Sequence, residues 1–175
     1  MMCILDNFFD DFEARLNYAE AAVYKTEEYD GRFYNQIHVF NEHQDVYDKI
    51  GRVIGKKLTG WSILRKGHNP TGWIHADSNC GGYAAVIYMT ETEDLTGTAF
   101  WSHNKYGFSS SGLGLEEAYE VNDQANDPSK WSLSNVVNGK KNRALIYEAT
   151  DFHSVYPKTG PADRIVEVLF MQEVD

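Results

Sequence analysis

The chain is short of cysteine, proline and basic residues, and each shortage closes off a class of protein. Its two cysteines, Cys3 and Cys80, have no CxxC spacing. Neither a disulfide framework nor a thiolate metal knuckle is expected, and both read as unpaired thiols of a reducing compartment. There are four prolines and no Pro/Ser-rich linker, internal repeat or low-complexity tract, so 1–175 reads as a single domain. Against 26 Asp+Glu stand 16 Lys+Arg, a formal charge of -10. That balance argues against a general nucleic-acid or anionic-membrane surface, because both partners are polyanions. No run approaches the ~18 apolar residues of a membrane helix. The apolar start Met1-Met2-Cys3-Ile4-Leu5 is cut by Asp6 and has no basic residue before it. No signal peptide is expected, and a cytoplasmic location is.

Hydrophobic residues make up 42% of the chain and aromatics 14%, enough to exclude disorder and to build a sizeable core without staples. The N-terminal third reads as helical support over 1–58. Leu5, Phe8, Phe9, Phe12, Leu16, Ala19 and Val23 recur at three- and four-residue steps, with Asp6 or Asn7 as cap and Gly31 past the end. A second helix fits Val46, Ile50, Val53 and Ile54, with Asn41 as N-cap and Lys56-Lys57 suiting the C-terminal end of the dipole.

From Gly60 the texture changes to short runs rich in aromatic and β-branched residues: Trp61–Arg65, Trp73–Asp77, Tyr83–Thr90, Gly97–Ser102, Trp131–Val137, Arg143–Glu148, His153–Tyr156 and Arg164–Met171. His68-Asn69-Pro70-Thr71-Gly72 reads as a turn, and Asn138-Gly139 as a hairpin turn. Short strands after two helices predict a mostly β fold over 60–175, an antiparallel sandwich or barrel with the helices packed on one sheet. The run Ile165–Met171 is apolar at both parities except Glu167, so both of its faces should be covered. Residues 103–130 form a long insertion, loop-like at first and then a short acidic helix over Leu115–Val121, of the kind that serves as a lid or binding loop.

Chemistry concentrates at His75-Ala76-Asp77. In an extended segment residues two apart share a face, so imidazole and carboxylate can converge on one point. With six histidines in an Asp-rich chain, about half a chance match to His-x-Asp is expected, and the pair is weak by itself. His153, beside Asp151 and before another β run, supplies a third group. Two His and one carboxylate with open positions form the facial triad of non-haem Fe(II) oxygenases. Arg164, eleven residues later, opens the apolar strand. A guanidinium among core residues needs a counter-anion, and its planar fork matches a carboxylate bidentately.

The series His75-Ala76-Asp77, Tyr83–Tyr88, Gly97-Thr98-Ala99-Phe100, Asn142–Tyr147, His153 and Arg164 resembles the 2-oxoglutarate/Fe(II)-dependent dioxygenases, in their prolyl 4-hydroxylase-like branch. The resemblance covers roughly 61–171 and is specific in order and spacing. It implies a double-stranded β-helix, the cupin-like jelly roll. It implies that His75, Asp77 and His153 bind Fe(II), that Arg164 clamps the distal carboxylate of 2-oxoglutarate, and that Tyr88 hydrogen-bonds it. The implied reaction consumes O2 and 2-oxoglutarate and hydroxylates a C–H bond of a peptidyl side chain, amino acid or small molecule, releasing succinate and CO2; ascorbate is an expected stimulant. An aspartate at position 77 supports hydroxylation over halogenation, since halogenases of the family vacate that site for chloride. The gap from His153 to Arg164 is slightly longer than is usual in the branch, and the loop Pro157–Asp163 can absorb it. Position 65, often Tyr in relatives, is Arg here.

Arg65 is therefore a candidate for contact with the cosubstrate or an anionic substrate group, and Trp73, Asn79 and Trp101 for lining the substrate mouth. His38, His43, His68 and His103 lack partners at ligand spacing and read as structural or surface residues. Cys80 sits near Asp77 with nothing to mark it as a nucleophile. There is no Gly-x-Ser-x-Gly elbow and no phosphate loop. Two other readings use the same residues: a cupin-like Zn(II) or Mn(II) site of an isomerase or hydrolase, which needs no Arg164 clamp, and a non-enzymatic jelly-roll module in which His75 and His153 never meet. Substrate and oligomeric state are not encoded in any motif.

Overall fold

A computed structural model describes residues 1–29, 32–39, 43–67, 73–91, 96–157 and 163–175. Gly31, Asn41, the His68–Gly72 turn and most of the Pro157–Asp163 loop lie outside the described residues.

The N-terminal segment whose apolar periodicity suggested one long helix resolves into three strands and a helix. Strand β1 (Met2–Leu5) ends where Asp6 and Asn7 turn the chain, Asn7 at φ 54. Helix α1 (Phe12–Ala21) then buries Phe12, Leu16 and Ala19 at helical spacing. Strands β2 (Lys25–Tyr29) and β3 (Arg32–Val39) pair as an antiparallel ladder. The N-terminal segment is thus not purely helical support, because it lends three strands to a sheet. Alternation was invisible in β2, whose Lys25-Thr26-Glu27-Glu28-Tyr29 sequence offers no apolar face. Helix α2 (Gln44–Ile54) begins after His43 and buries Val46, Tyr47 and Ile50. It stops at Gly55, which takes the left-handed φ of 73 that a residue without Cβ adopts freely, its N–H bonded to the Gly51 carbonyl.

The remaining strands are β4 (Leu58–Lys66), β5 (Tyr83–Tyr88), β6 (Gly97–His103), β7 (Trp131–Asn138), β8 (Arg143–Glu148), β9 (His153–Tyr156) and β10 (Ile165–Glu173), with helix α3 (Leu115–Asp123) inside the insertion. Two antiparallel sheets result: seven strands in the order β1-β8-β5-β10-β4-β3-β2, and three in the order β7-β6-β9. The predicted strand Trp73–Asp77 is reduced to an isolated bridge from His75 to His153 beside β9. Asn138-Gly139 is not a hairpin turn. β7 pairs with β6 in the small sheet and β8 with β5 in the large one, so the chain crosses between sheets there. The strands on either side of that turn pair elsewhere, β7 with β6 and β8 with β1 and β5.

Strand β10, central in the large sheet, is covered on both faces. Its outer side, Ile165, Leu169 and Met171, packs with Phe12, Leu16, Val46 and Ile50 of the two helices. Its inner side, Val166, joins Val86, Tyr88, Leu145 and Tyr147 of the large sheet against Phe100 and Val137 of the small one. At ~25 cal/mol per Å2 of buried apolar surface, these two layers are the main source of stability. The insertion folds onto the far side of the small sheet, where Val121 meets Ile74, Trp131 and Phe152. No helix among the described residues is long and apolar enough to cross a membrane.

Candidate metal centre

The bridge at His75 builds the site. His75 N–H donates to the His153 carbonyl at 3.0 Å and His153 N–H donates back at 2.8 Å, which sets the two imidazoles 4.4 Å apart on one side of the segment. Alternation then sends Ile74 and Ala76 to the cluster on the other side and Asp77 back beside the imidazoles. Ligand atoms of His75, Asp77 and His153 all lie within 4.8 Å of one another. The His75 Nε2–Asp77 Oδ1 distance is 3.6 Å and the His153 Nε2–Asp77 Oδ2 distance 3.2 Å. The reading in which the two histidines never meet is overturned.

Each imidazole is oriented by a backbone carbonyl. His75 Nδ1 lies 3.0 Å from the Trp73 oxygen and His153 Nδ1 lies 2.9 Å from that of Asp151. A carbonyl only accepts, so both Nδ1 atoms carry a proton and both Nε2 atoms turn inward, the orientation a metal ligand needs. The donor set of two imidazole nitrogens and a carboxylate fits a divalent first-row metal with open positions.

Electrostatics agree. Enclosure and the neighbouring His153 lower the His75 pKa to about 4, although 32% of its side chain stays exposed. Burial pushes Asp77 up, but the adjacent His153 outweighs it and holds the carboxyl below its usual range. Burial likewise works against charge on His153, and Asp77 reverses the balance and raises its pKa.

A second feature stands on the inner face of the large sheet. Arg65, Val166, Tyr88 and Arg143 lie opposite one another in adjacent strands. Next to this row the Arg164 guanidinium carbon sits 5.8 Å from the Tyr88 ring centroid. The buried Arg164 Nε has no hydrogen-bond partner among the described residues. An enclosed guanidinium with an open donor fits an incoming carboxylate. The Tyr88 hydroxyl is 2.7 Å from Thr98 Oγ1. Arg65, half-buried, is close enough for its charge to act on His75, Asp77 and Arg164.

The predicted mouth residues divide. Trp73 lies against His75, ring centroids 5.3 Å apart, and Asn79 is exposed in the turn after Asp77. Trp101 belongs elsewhere: its Nε1 donates to Ser154 Oγ at 2.9 Å and its ring joins the cluster of Ile74, Trp131 and Phe152 behind the small sheet. A bulge between Phe100 and Trp101 turns it there. His103 is structural, buried at 2.9 Å from Gln124 Oε1, whereas His43 lies 3.6 Å from the buried Glu167. Cys3 and Cys80 are free thiols.

Sequence patterning assigns no role to Tyr147, yet its hydroxyl lies 3.1 Å from His153 Nε2, fully buried. The available signal was its parity with Leu145, which places it on the inner face of β8.

No protein-family model and no curated protein matches this sequence. Solved structures do match the fold. The epimerase SnoN of nogalamycin biosynthesis, described as non-haem and alpha-ketoglutarate dependent, aligns at TM-score 0.66 with 9% identity over 98% of this chain and 78% of that one. A 2OG-Fe(II) oxygenase family oxidoreductase from Burkholderia pseudomallei aligns at 0.56, with 13% identity over 97% and 83%. A prolyl hydroxylase from Trichoplax adhaerens, in complex with a hypoxia inducible factor peptide fragment, aligns at 0.55, with 13% identity over 97% and 82%. Mostly β, with antiparallel sheets and few helices, the chain has a jelly-roll-like fold of the kind seen in 2OG-Fe(II) oxygenases.

Proposed function

We propose that the chain is a single-domain, non-haem Fe(II)- and 2-oxoglutarate-dependent dioxygenase built on a double-stranded β-helix, hydroxylating a C–H bond of a peptidyl side chain, amino acid or small molecule. The observation that carries this reading is the convergence of His75, Asp77 and His153 within 4.8 Å, with both Nε2 atoms turned inward. His75, Asp77 and His153 hold Fe(II). Arg164 takes the distal carboxylate of 2-oxoglutarate with its open Nε, and Tyr88 supports that end. Iron with 2-oxoglutarate and O2 supplies C–H oxidation, with succinate and CO2 as by-products. The chain's own contribution is to fix the ligands through the Trp73 and Asp151 carbonyls, to orient the cosubstrate through Arg164, and to keep water out with Phe100, Val166 and Tyr147.

Among the neighbours, HygX of Streptomyces hygroscopicus was crystallised with nickel and 2-oxoglutarate bound. Its structure gives the cosubstrate assignment a precedent on this fold. Arg164 favours this reading over a cupin-like Zn or Mn isomerase or hydrolase, which has no use for a buried guanidinium. Arg65 and Trp73 line the substrate side, Arg65 suiting a substrate with an anionic group, and Asn79 marks the outer edge.

Protein loaded with Fe(II) is expected to turn 2-oxoglutarate into succinate slowly under air, even without substrate. No succinate with ferrous iron bound overturns the reading. The likeness to an epimerase supports a second outcome at the same site, in which the substrate leaves with inverted configuration. Product mass separates the two: hydroxylation adds an oxygen atom, whereas epimerisation adds nothing.

A further inference from the structure

Among the described residues, the Tyr147 hydroxyl has one hydrogen-bond partner, the metal-facing nitrogen of His153. In the neutral ring that nitrogen has a single lone pair, because the other ring nitrogen spends its proton on the Asp151 carbonyl. It can accept the Tyr147 hydrogen bond or bind a metal, but not both. Metal uptake therefore releases the hydroxyl of a tyrosine that is 0% exposed. A buried donor without an acceptor is costly, so the hydroxyl must turn to another oxygen.

Its position says which. Tyr147 stands in the row Trp61–Phe170–Ala84–Tyr147, four residues along the strands from the row Arg65–Val166–Tyr88–Arg143. That separation is about 13 Å. The metal ligands lie at the Tyr147 end and Arg164 at the Tyr88 end. A ligand group bound to a metal at His153 would lie beside the Tyr147 hydroxyl, which is 3.1 Å from that ligand nitrogen.

We propose that Tyr147 is a two-state positioning residue: it caps His153 Nε2 in the metal-free protein and, once metal displaces it, donates its hydrogen bond to the metal-proximal carboxylate of 2-oxoglutarate. This rests on the oxygenase reading above. The hydroxyl thus opposes metal binding and favours cosubstrate binding.

The test is Tyr147→Phe, which removes one oxygen and leaves the ring contacts with Phe100 and His153 in place. Calorimetry with Ni(II) alone, and then with 2-oxoglutarate on the Ni(II)-loaded protein, reads both states without turnover. The variant is expected to bind Ni(II) about fivefold more tightly, having lost a competing hydrogen bond, and 2-oxoglutarate about tenfold or more weakly. Opposite signs are the signature, because a merely structural disturbance weakens both. Unchanged 2-oxoglutarate affinity in the variant, or weakening of both ligands, overturns the assignment alone. Wild-type protein that holds Ni(II) but binds no 2-oxoglutarate overturns the oxygenase reading and this assignment together.

Discussion

His75 and His153 are hydrogen-bonded to each other through both of their backbone N–H groups, at 3.0 and 2.8 Å, across 78 positions of sequence (153 − 75 = 78). A one-residue slip in that bridge would send one imidazole to the opposite face and dissolve the centre.

Asp77→Ala removes the only carboxylate of the triad and leaves the backbone bridge intact. Metal content after Fe(II) loading is expected to fall from stoichiometric to none while the far-UV circular dichroism stays the same. Retained stoichiometric metal would place the ion elsewhere.

Arg164→Ala is expected to weaken 2-oxoglutarate binding by roughly 10- to 100-fold, the loss associated with a hydrogen bond to a charged group. Metal uptake should be nearly unaffected, as Arg164 is not among the converging ligands. Equal cosubstrate affinity in both proteins would remove Arg164 from the site.

Glu167 is buried on the helix face of β10, 3.6 Å from His43 Nε2 and near Tyr47 and Ser62, with Arg15 and Asp45 farther out. Burial raises its pKa despite the opposing charge of His43. A carboxyl with a raised native pKa binds its proton more tightly folded than unfolded, so the folded state gains as pH falls through the native pKa and is penalised above it. Glu167→Gln mimics the protonated form. The variant should melt higher than wild type near neutral pH, and the gap should close below about 4.3, the unfolded pKa of glutamate. A variant that melts lower at neutral pH would show that ionised Glu167 stabilises the fold.

Asn142 clamps the N-terminal segment: its Oδ1 accepts from Phe9 N–H at 2.8 Å and its Nδ2 donates to the Phe9 carbonyl at 2.9 Å. Its φ of 60 is one asparagine tolerates and alanine resists. Asn142→Ala should cost about 2–4 kcal/mol in chemical denaturation, from two hydrogen bonds and the left-handed strain. A loss below about half a kcal/mol would mean that the clamp contributes nothing net.

Helix α2, the seven β runs after Gly60 and the insertion helix α3 were legible because each carries a local apolar repeat or a short apolar run between turn residues. Strands β1, β2 and β3 were not: β1 is only four residues long and was absorbed into a helical period, and β2 carries too little apolar contrast. Asn138-Gly139 has the composition of a hairpin turn, but turn chemistry specifies a reversal and says nothing about which sheet receives the next strand. In the site, the triad and Arg164 could be picked out because a metal ligand or a buried charge is unusual by residue type. Tyr147 could not, since a tyrosine on an inner face is ordinary core until its neighbour is known.

What the amino-acid order determined by itself is therefore chemical identity and local period: two imidazoles, a carboxylate and a guanidinium, spaced along extended runs that alternate inward and outward. Only the tertiary structure decided that residues 75 and 153 share a bridge, that Trp101 turns behind the small sheet, and that the Tyr147 hydroxyl rests on a ligand nitrogen. Periodicity reports what a segment hides from water, whereas pairing and register between distant segments arise from the joint packing of all of them.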